Sequence, residues 1–425
     1  MAKKKTEKPK RGVTKRQLSR WQQQKRRQRI ILGSGILIIV AVLSVIGAGV
    51  YNQWYISEYK PLHETVIEVN DTKFDMDYYV KMLKYYGGGM PIEQMRFVAD
   101  EVVTIIERNE LLRQEAMKLD ISVSDGEVDE ELKSYDPPLS KDYRDVVRTA
   151  ILVDRLRDEY FEQQVPKSAE QRHIWAMFLE SESQVNEVKA RLEAGEDFAE
   201  LAGELSLDSF CKSKEGDLGW RPEGVLTLLL RTSIVDEHAF NCEAGVLSEP
   251  IYEETKLKMV GYWLIEVEFR DEEVEYAQVK VMLLGSEEEA NEVRARLEAG
   301  EDFATLAEEF SQHDESRENG GEFEVMSKGV MSSAFNEFVF DPEVELETLS
   351  QPIPDDAVST EGGYWLVKVT EADENRQIEE EDRDILKADA FNQWAEALWD
   401  DPENRVESYL DDEKKEWAIW YAIGG

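Results

Sequence analysis

Residues 188–206 read VKARLEAGEDFAELAGELS and residues 293–311 read VRARLEAGEDFATLAEEFS, so one 19-residue stretch occurs twice with 15 positions identical, at an offset of 105. The echo continues at an offset of 102: LSEPI (247–251) with LSQPI (349–353), and GYWLIEV (261–267) with GYWLVKV (363–369). Three landmarks in one order predict a duplicated domain of about 100 residues rather than a short solenoid repeat. The duplication is also an internal control. Where the copies agree, the fold demands the residue; where they differ, function was free to change.

Charge is strongly polarised along the 425 residues. Residues 1–30 carry 13 Lys and Arg against the single Glu7, a local charge of +12, so the remainder carries −53 of the total −41. The stretch 30–51, IILGSGILIIVAVLSVIGAGVY, has no charged residue. As a helix it is about 33 Å long, enough to span a bilayer. Lys25, Arg26, Arg27 and Arg29 directly precede it. The positive-inside rule then predicts a cytoplasmic tail (1–29), a single-pass anchor in the cell membrane (30–51), and the rest of the chain outside. A cleaved signal peptide is the competing reading, with Gly47 and Gly49 as small residues at a processing site. The acidic outer portion repels phosphate backbones, which excludes nucleic acid, and suits basic or unfolded partners. Cys211 and Cys242 are the only cysteines. A disulfide and two separate thiols both fit an extracytoplasmic location.

After the anchor, VIEVNDTKF (66–74) alternates around Asn70-Asp71 and predicts a hairpin. Helical patterns follow at 97–119, 124–132 and 142–161, giving a helical domain over 62–165. Each repeat then has one outline: a short strand (173–179; 278–284), a helix ending at Gly195 or Gly300, a second beginning at Asp197 or Asp302, a loop rich in Asp, Ser and Gly, an apolar helix, and two closing strands. The fold class predicted is α+β, with an antiparallel sheet and surrounding helices in each of two tandem domains, 169–271 and 275–372. An acidic helical tail (373–425) completes the chain.

EGDLGW (215–220), with QRHI (171–174) before it and the LSEPI and GYWLIEV segments after it, resembles a parvulin-type (PpiC) peptidyl-prolyl isomerase domain. GGEFEVMSKGVM (320–331) and AFNEFVF (334–340) resemble the same family more distantly, and ISVSDGEVDEEL (121–132) resembles the helical chaperone region of extracytoplasmic foldases of the SurA/PrsA kind. The resemblance implies a foldase that isomerises X–Pro bonds in unfolded or newly exported polypeptides, with no cofactor and no metal. The alternative it leaves is a non-catalytic holdase whose parvulin folds only bind peptide.

The resemblance also implies the site residues. In repeat 1 His173 and Asp208 stand at catalytic positions, and Leu226, Leu230, Phe240 and Trp263 line the proline pocket. In repeat 2 Gln278 replaces the histidine, while Asp314, Met331, Phe335, Phe340 and Trp365 form the peptide-binding set. Repeat 1 is therefore the copy expected to be active. His238 and His313 have no partner at metal-ligand spacing and are expected on the surface. No phosphate loop, zinc pattern or Ser/His/Asp set is present.

Overall fold

The computed structural model describes residues 15–51, 55–56, 59–271, 273, 275–325 and 328–424, and within 15–33 only the side chains of Lys25, Arg27, Arg29 and Leu32. The chain divides into two compact units, Met1–Asp158 with Asn392–Gly425, and Glu159–Phe391.

In the first unit, α1 (Lys15–Val50) covers most of the uncharged run. Its large apolar side chains from Ile36 to Val50 are each more than half exposed. Among the described residues no helix is long and apolar enough to cross a membrane; Ile30, Ile31 and Gly33 of the run lie outside the described side chains. The basic tail up to Thr14 lies outside the described residues altogether. A short α2 (Lys60–Leu62) precedes the hairpin of β1 (Thr65–Val69) and β2 (Thr72–Asp75). Asn70 turns it with φ +53°, a left-handed conformation that Asn tolerates. Helices α3 (Met76–Gly87), α4 (Ile92–Lys118), α5 (Asp125–Ser134) and α6 (Arg144–Arg155) follow. Asp75 caps α3, and Ser124 with Glu127 forms a capping box on α5, satisfying backbone N–H groups that a helix start leaves open. The C-terminal segment completes this unit: β11 (Val406–Ser408) pairs with β1, and α18 (Asp412–Gly424) packs on α3 and α4. Asn70 ties the two ends, accepting from Arg405 N at 2.7 Å and donating to Asn404 Oδ1 at 3.0 Å.

The second unit starts with the single turn α7 (Glu162–Gln164) and holds two four-stranded antiparallel sheets. The first repeat supplies β3 (Ser168–Leu179), α8 (Glu182–Glu193), α9 (Phe198–Leu205), α10 (Ser209–Ser213), β4 (Asp217–Pro222), α11 (Val225–Leu230), α12 (Ile234–Asn241), β5 (Ile251–Lys258) and β6 (Gly261–Asp271). The second supplies β7 (Tyr276–Leu284), α13 (Glu287–Glu298), α14 (Phe303–Phe310), α15 (Asp314–Glu318), β8 (Glu322–Val325), α16 (Ser333–Val339), β9 (Ile353–Asp355) and β10 (Thr360–Gln377), and α17 (Glu380–Asp400) follows. The near-identical 19-residue stretch is explained by its caps. Gly195 and Gly300, at φ +97° and +94°, end the first helix of each repeat, and Asp197 and Asp302 cap the second. Gly216 and Gly321 are likewise forced: both have positive φ, and a Cβ on Gly216 would meet Ala202 Cβ at 2.8 Å.

The strand orders are β4-β3-β10-β5 and β8-β7-β6-β9. Each sheet therefore takes its last strand from the other repeat. β6, the end of repeat 1, lies between β7 and β9; β10, the end of repeat 2, lies between β3 and β5. This differs from two sequential domains closing on themselves at 271 and 372. Residues 272–275 separate Asp271 from Tyr276, which pair directly, while the two-residue link 259–260 between β5 and β6 carries the chain from one sheet to the other. The sheet containing β3 and β10 is called domain 1 below, and that containing β6 and β7 domain 2.

Two consequences are measurable. A fragment covering 259–358 contains all four strands of domain 2 and should unfold cooperatively in urea, whereas 275–355, lacking central strand β6, should show no protected amides in hydrogen exchange. Proteolytic nicking between Asp271 and Tyr276 should leave the halves co-eluting on size exclusion, because the cut lies inside one sheet.

Candidate functional site

Strand alternation sorts the residues of β3 onto two faces. Ile174, Ala176 and Phe178 pack with Leu226, Leu230, Trp365 and, at its rim, Phe240. Met177 and Leu179, with Trp175 beside them, pack on the other face with Phe198 and Leu201 of α9. His173 falls in the second phase. Its Nδ1 lies 2.7 Å from Thr370 Oγ1, its Nε2 lies 3.4 Å from Asp217 Oδ1, and its ring packs near Trp220 and Trp175 at 5.7 and 6.3 Å.

Asp208 lies on the face of the sheet that carries Phe178 and Trp365. It caps α10, its Oδ1 accepting from Cys211 N at 2.8 Å. Its Oδ2 pairs with Lys256 Nζ at 2.9 Å, the two side chains only 10% and 13% exposed. Lys256 also donates to Leu230 O at 2.9 Å, and its ammonium lies 5.2 Å from the Trp365 ring centre and 5.9 Å from that of Phe178. The structure thus brings Asp208 together with Leu226, Leu230 and Phe240 but leaves His173 on the opposite side of the sheet. The carboxylate is already neutralised by the chain's own lysine, which sits over the aromatic floor. Cys211 and Cys242 are both free, and burial first, then the Asp208 charge, hold the Cys211 thiol well above its usual range.

The strand exchange moves both tryptophans. Trp365, expected in domain 2, is fully buried against Phe178 in domain 1, and among the described residues its Nε1 has no hydrogen-bond partner. Trp263, expected in domain 1, is buried in domain 2, where it packs edge-on to Phe335 at 5.0 Å and donates Nε1–H to Asp355 Oδ2 at 2.8 Å. Phe335 belongs to that cluster, and Met331 and Phe340 pack against it. Asp314 does not: its side chain is 81% exposed and pairs with Arg317. The residue matching Asp208 is instead His313, which caps α15 as Asp208 caps α10. It was expected on the surface, yet its ring is lodged against Trp263 and Phe323 at 5.5 and 5.3 Å. The 105-residue offset of the duplicate, applied to Asp208, was the signal that finds it. On the Trp263 face of β7, Val279, Val281 and Leu283 match the apolar residues of β3, so neither first strand brings a histidine to its tryptophan-bearing cluster.

Residues 177–268 and 260–373 each match a model of the PPIC-type PPIase domain. The two matches share 260–268, the start of the exchanged strand β6. The foldase protein PrsA of Caldanaerobacter subterraneus is 31% identical over 185 residues, 40% of this chain and 57% of that relative. The chaperone SurA of Alcanivorax borkumensis is 28% identical over 325 residues, 71% of this chain and 65% of its own length. The foldase protein PrsA 4 of Bacillus cereus is 32% identical over 130 residues, 31% of this chain and 44% of its own. The chain spans less than two thirds of the length of each of these relatives.

The Asp208–Lys256 pair makes a stability prediction. Removing one partner leaves a nearly buried charge alone, so Lys256→Ala should lower the unfolding free energy by about 3 kcal/mol. The double change Asp208→Asn with Lys256→Met should recover most of that loss, and His173→Ala should cost under about 1 kcal/mol. Urea unfolding followed by tryptophan fluorescence reads all three.

Proposed function

Because the chain belongs to the parvulin-type (PPIC) foldases of the SurA/PrsA kind, we propose that it is a membrane-tethered chaperone that binds apolar, proline-containing segments of exported polypeptides outside the cytoplasm. Isomerising an X–Pro bond means crossing a barrier of about 18–20 kcal/mol through a twisted amide. A catalytic site lowers it by placing polar groups where the twisted carbonyl will sit, in a pocket free of water. Domain 1 does not assemble that arrangement. The observation that carries the reading is that His173 and Asp208 face opposite sides of the sheet, with Asp208 held by Lys256. Domain 1 then acts as a peptide-binding module rather than an enzyme, alongside domain 2 and the helical unit.

Tethering is supported by the uncharged run 30–51 and the basic residues before it. Leu37 and Val45, 70% and 73% exposed, belong to an apolar helix face that water does not accommodate over this length. The apolar side chains Phe97 and Trp420 of the helical unit, 82% and 66% exposed, add surface suited to unfolded chain.

The test uses the whole chain in detergent, with a chemically denatured client and a separate proline-limited refolding substrate. We expect aggregation of the client to be suppressed equally by the wild type and by His173→Ala. Any refolding acceleration should also survive that substitution. A rate enhancement that disappears with His173 would instead make domain 1 the enzyme and end the binding-module reading.

A further inference from the structure

A cavity of about 370 Å³ opens on the face of domain 1 opposite Asp208 and Trp365. Its walls are apolar: Trp175 of β3, Phe198 at the start of α9, Leu192 at the end of α8, and Leu247. The Trp175 and Phe198 rings meet edge to face at 5.7 Å. Lys368 of β10, half-buried, is the one basic residue in its lining.

The duplication shows how a lysine comes to stand there. The offset of 105 pairs Trp175 with Lys280, and the offset of 102 pairs Lys368 with Glu266 and Thr370 with Glu268. The backbone frame is the same in both domains. Lys368 lies across from Trp175 and is bridged by Leu247; Glu266 lies across from Lys280 and is bridged by Leu349. In domain 2 the charges close on one another, Lys280 Nζ lying 2.6 Å from Glu268 Oε1 and 3.9 Å from Glu266 Oε1. Had each repeat kept its own last strand, Lys368 would have faced Lys280, and like charges directly across a sheet repel. The exchange avoids that clash and leaves the Lys368 ammonium opposite an indole.

Among the described residues Lys368 Nζ has no hydrogen bond and no ion pair, in a chain of net charge −41. The two acids that line the cavity are committed elsewhere. Glu196 Oε2 accepts from Arg191 at 3.0 and 2.8 Å, and Asp197 Oδ1 caps α9 by accepting from Ala199 N at 2.8 Å. The Thr370 hydroxyl is engaged by His173, through Nδ1 at 2.7 Å and the carbonyl oxygen at 3.2 Å. Lys368 is thus an uncompensated cation set in a carbon wall.

We propose that this cavity binds a monocarboxylate carrying an aromatic body, its ring against Trp175 and Phe198 and its carboxylate on Lys368. One cation with two carboxylates beside it suits a single negative charge and disfavours a phosphate dianion. A charge-assisted hydrogen bond is strongest where water is partly excluded, and aromatic walls accept a further ring edge-on or offset. A free aromatic acid and the C-terminal phenylalanine of a chain present the same chemistry. The site is independent of the client-binding reading, since neither Asp208 nor the tryptophan floors take part in it.

The experiment is a ligand-observed NMR titration of the full chain in a non-ionic detergent at pH 7.5. The probes are 3-phenylpropionate, its neutral analogue 3-phenylpropionamide, and acetyl-Gly-Phe with a free carboxyl group. The wild type should bind the acid about tenfold more tightly than the amide. Lys368→Met, which keeps the apolar stem, should remove that preference and leave the amide unchanged, while Lys368→Arg should hold the acid within about threefold of wild type. Lys280→Met, at the matched place in domain 2, should change neither. If Lys368→Met fails to fold by circular dichroism, the acid-to-amide ratio of the wild type and of Lys368→Arg decides. Given that preference, binding of acetyl-Gly-Phe as tight as that of the acid assigns the site to chain ends, and its exclusion assigns it to free acids. Equal affinity of the wild type for acid and amide, or an acid affinity untouched by Lys368→Met, overturns the site and leaves the client-binding reading standing.

Discussion

The pairing of β6 with β7, in register from Tyr262 at Leu284 to Asp271 at Tyr276, joins the end of repeat 1 to the start of repeat 2 in one sheet. Much of the arrangement of the second unit goes with that pairing. With β6 committed to domain 2, the sheet of domain 1 lacks the strand between β3 and β5, and only the matching strand of repeat 2 has the sequence to fill it. β10 does so, pairing from Leu179 at Tyr364 to Ser168 at Gln377. Domain 2 is thus inserted within domain 1, and the chain crosses between them twice. The crossings are themselves tied: Thr360 pairs with Lys258 and donates to Val260 O, and Lys258 donates to Glu361 O and Gly362 O. Burial pushes the Lys258 ammonium down to about 8, so carbonyl partners at this crossing hold a weakened charge.

Because the exchanged strands are nearly the same sequence, each domain keeps a tryptophan at the same place on its floor. What the exchange changes is the company that tryptophan keeps. Trp365 lies under Lys256, and among the described residues its Nε1 has no hydrogen-bond partner, while the Glu253 carboxylate accepts from Thr232 and Thr255. Trp263 has Asp355 as an acceptor and His313 at its edge. The copies have diverged in charge rather than in shape. One cluster carries an internal ion pair, and the other an imidazole lodged between aromatic rings.

Much was legible in the sequence. The hairpin at Asn70, the helix caps at Ser124, Asp197 and Asp302, and the terminating glycines 195 and 300 are local, and local rules find them. Leu226, Leu230, Met331 and Phe335 were recognisable as residues that pack on the sheet because apolar spacing on a short helix survives any rearrangement of the strands. His173 was misplaced because a motif match fixes a residue's position along β3 but not its phase, and one step along a strand turns a side chain to the other face. Asp314 was preferred to His313 for a related reason. Residue type suggested the acid, while the cap geometry that defines the position belongs to its neighbour.

Sequence by itself determined the duplication, the α+β class, the polarity of charge about the uncharged segment and the family, since each depends on composition, period or repeated words within one stretch of chain. Tertiary structure alone decided which sheet each final strand joins, which tryptophan serves which pocket, and whether a histidine and an aspartate meet. The physical reason is that β pairing is non-local. Two copies ending in GYWLIEV and GYWLVKV present interchangeable edges and faces, so local chemistry leaves the choice of partner open, and only the assembled sheets decide it.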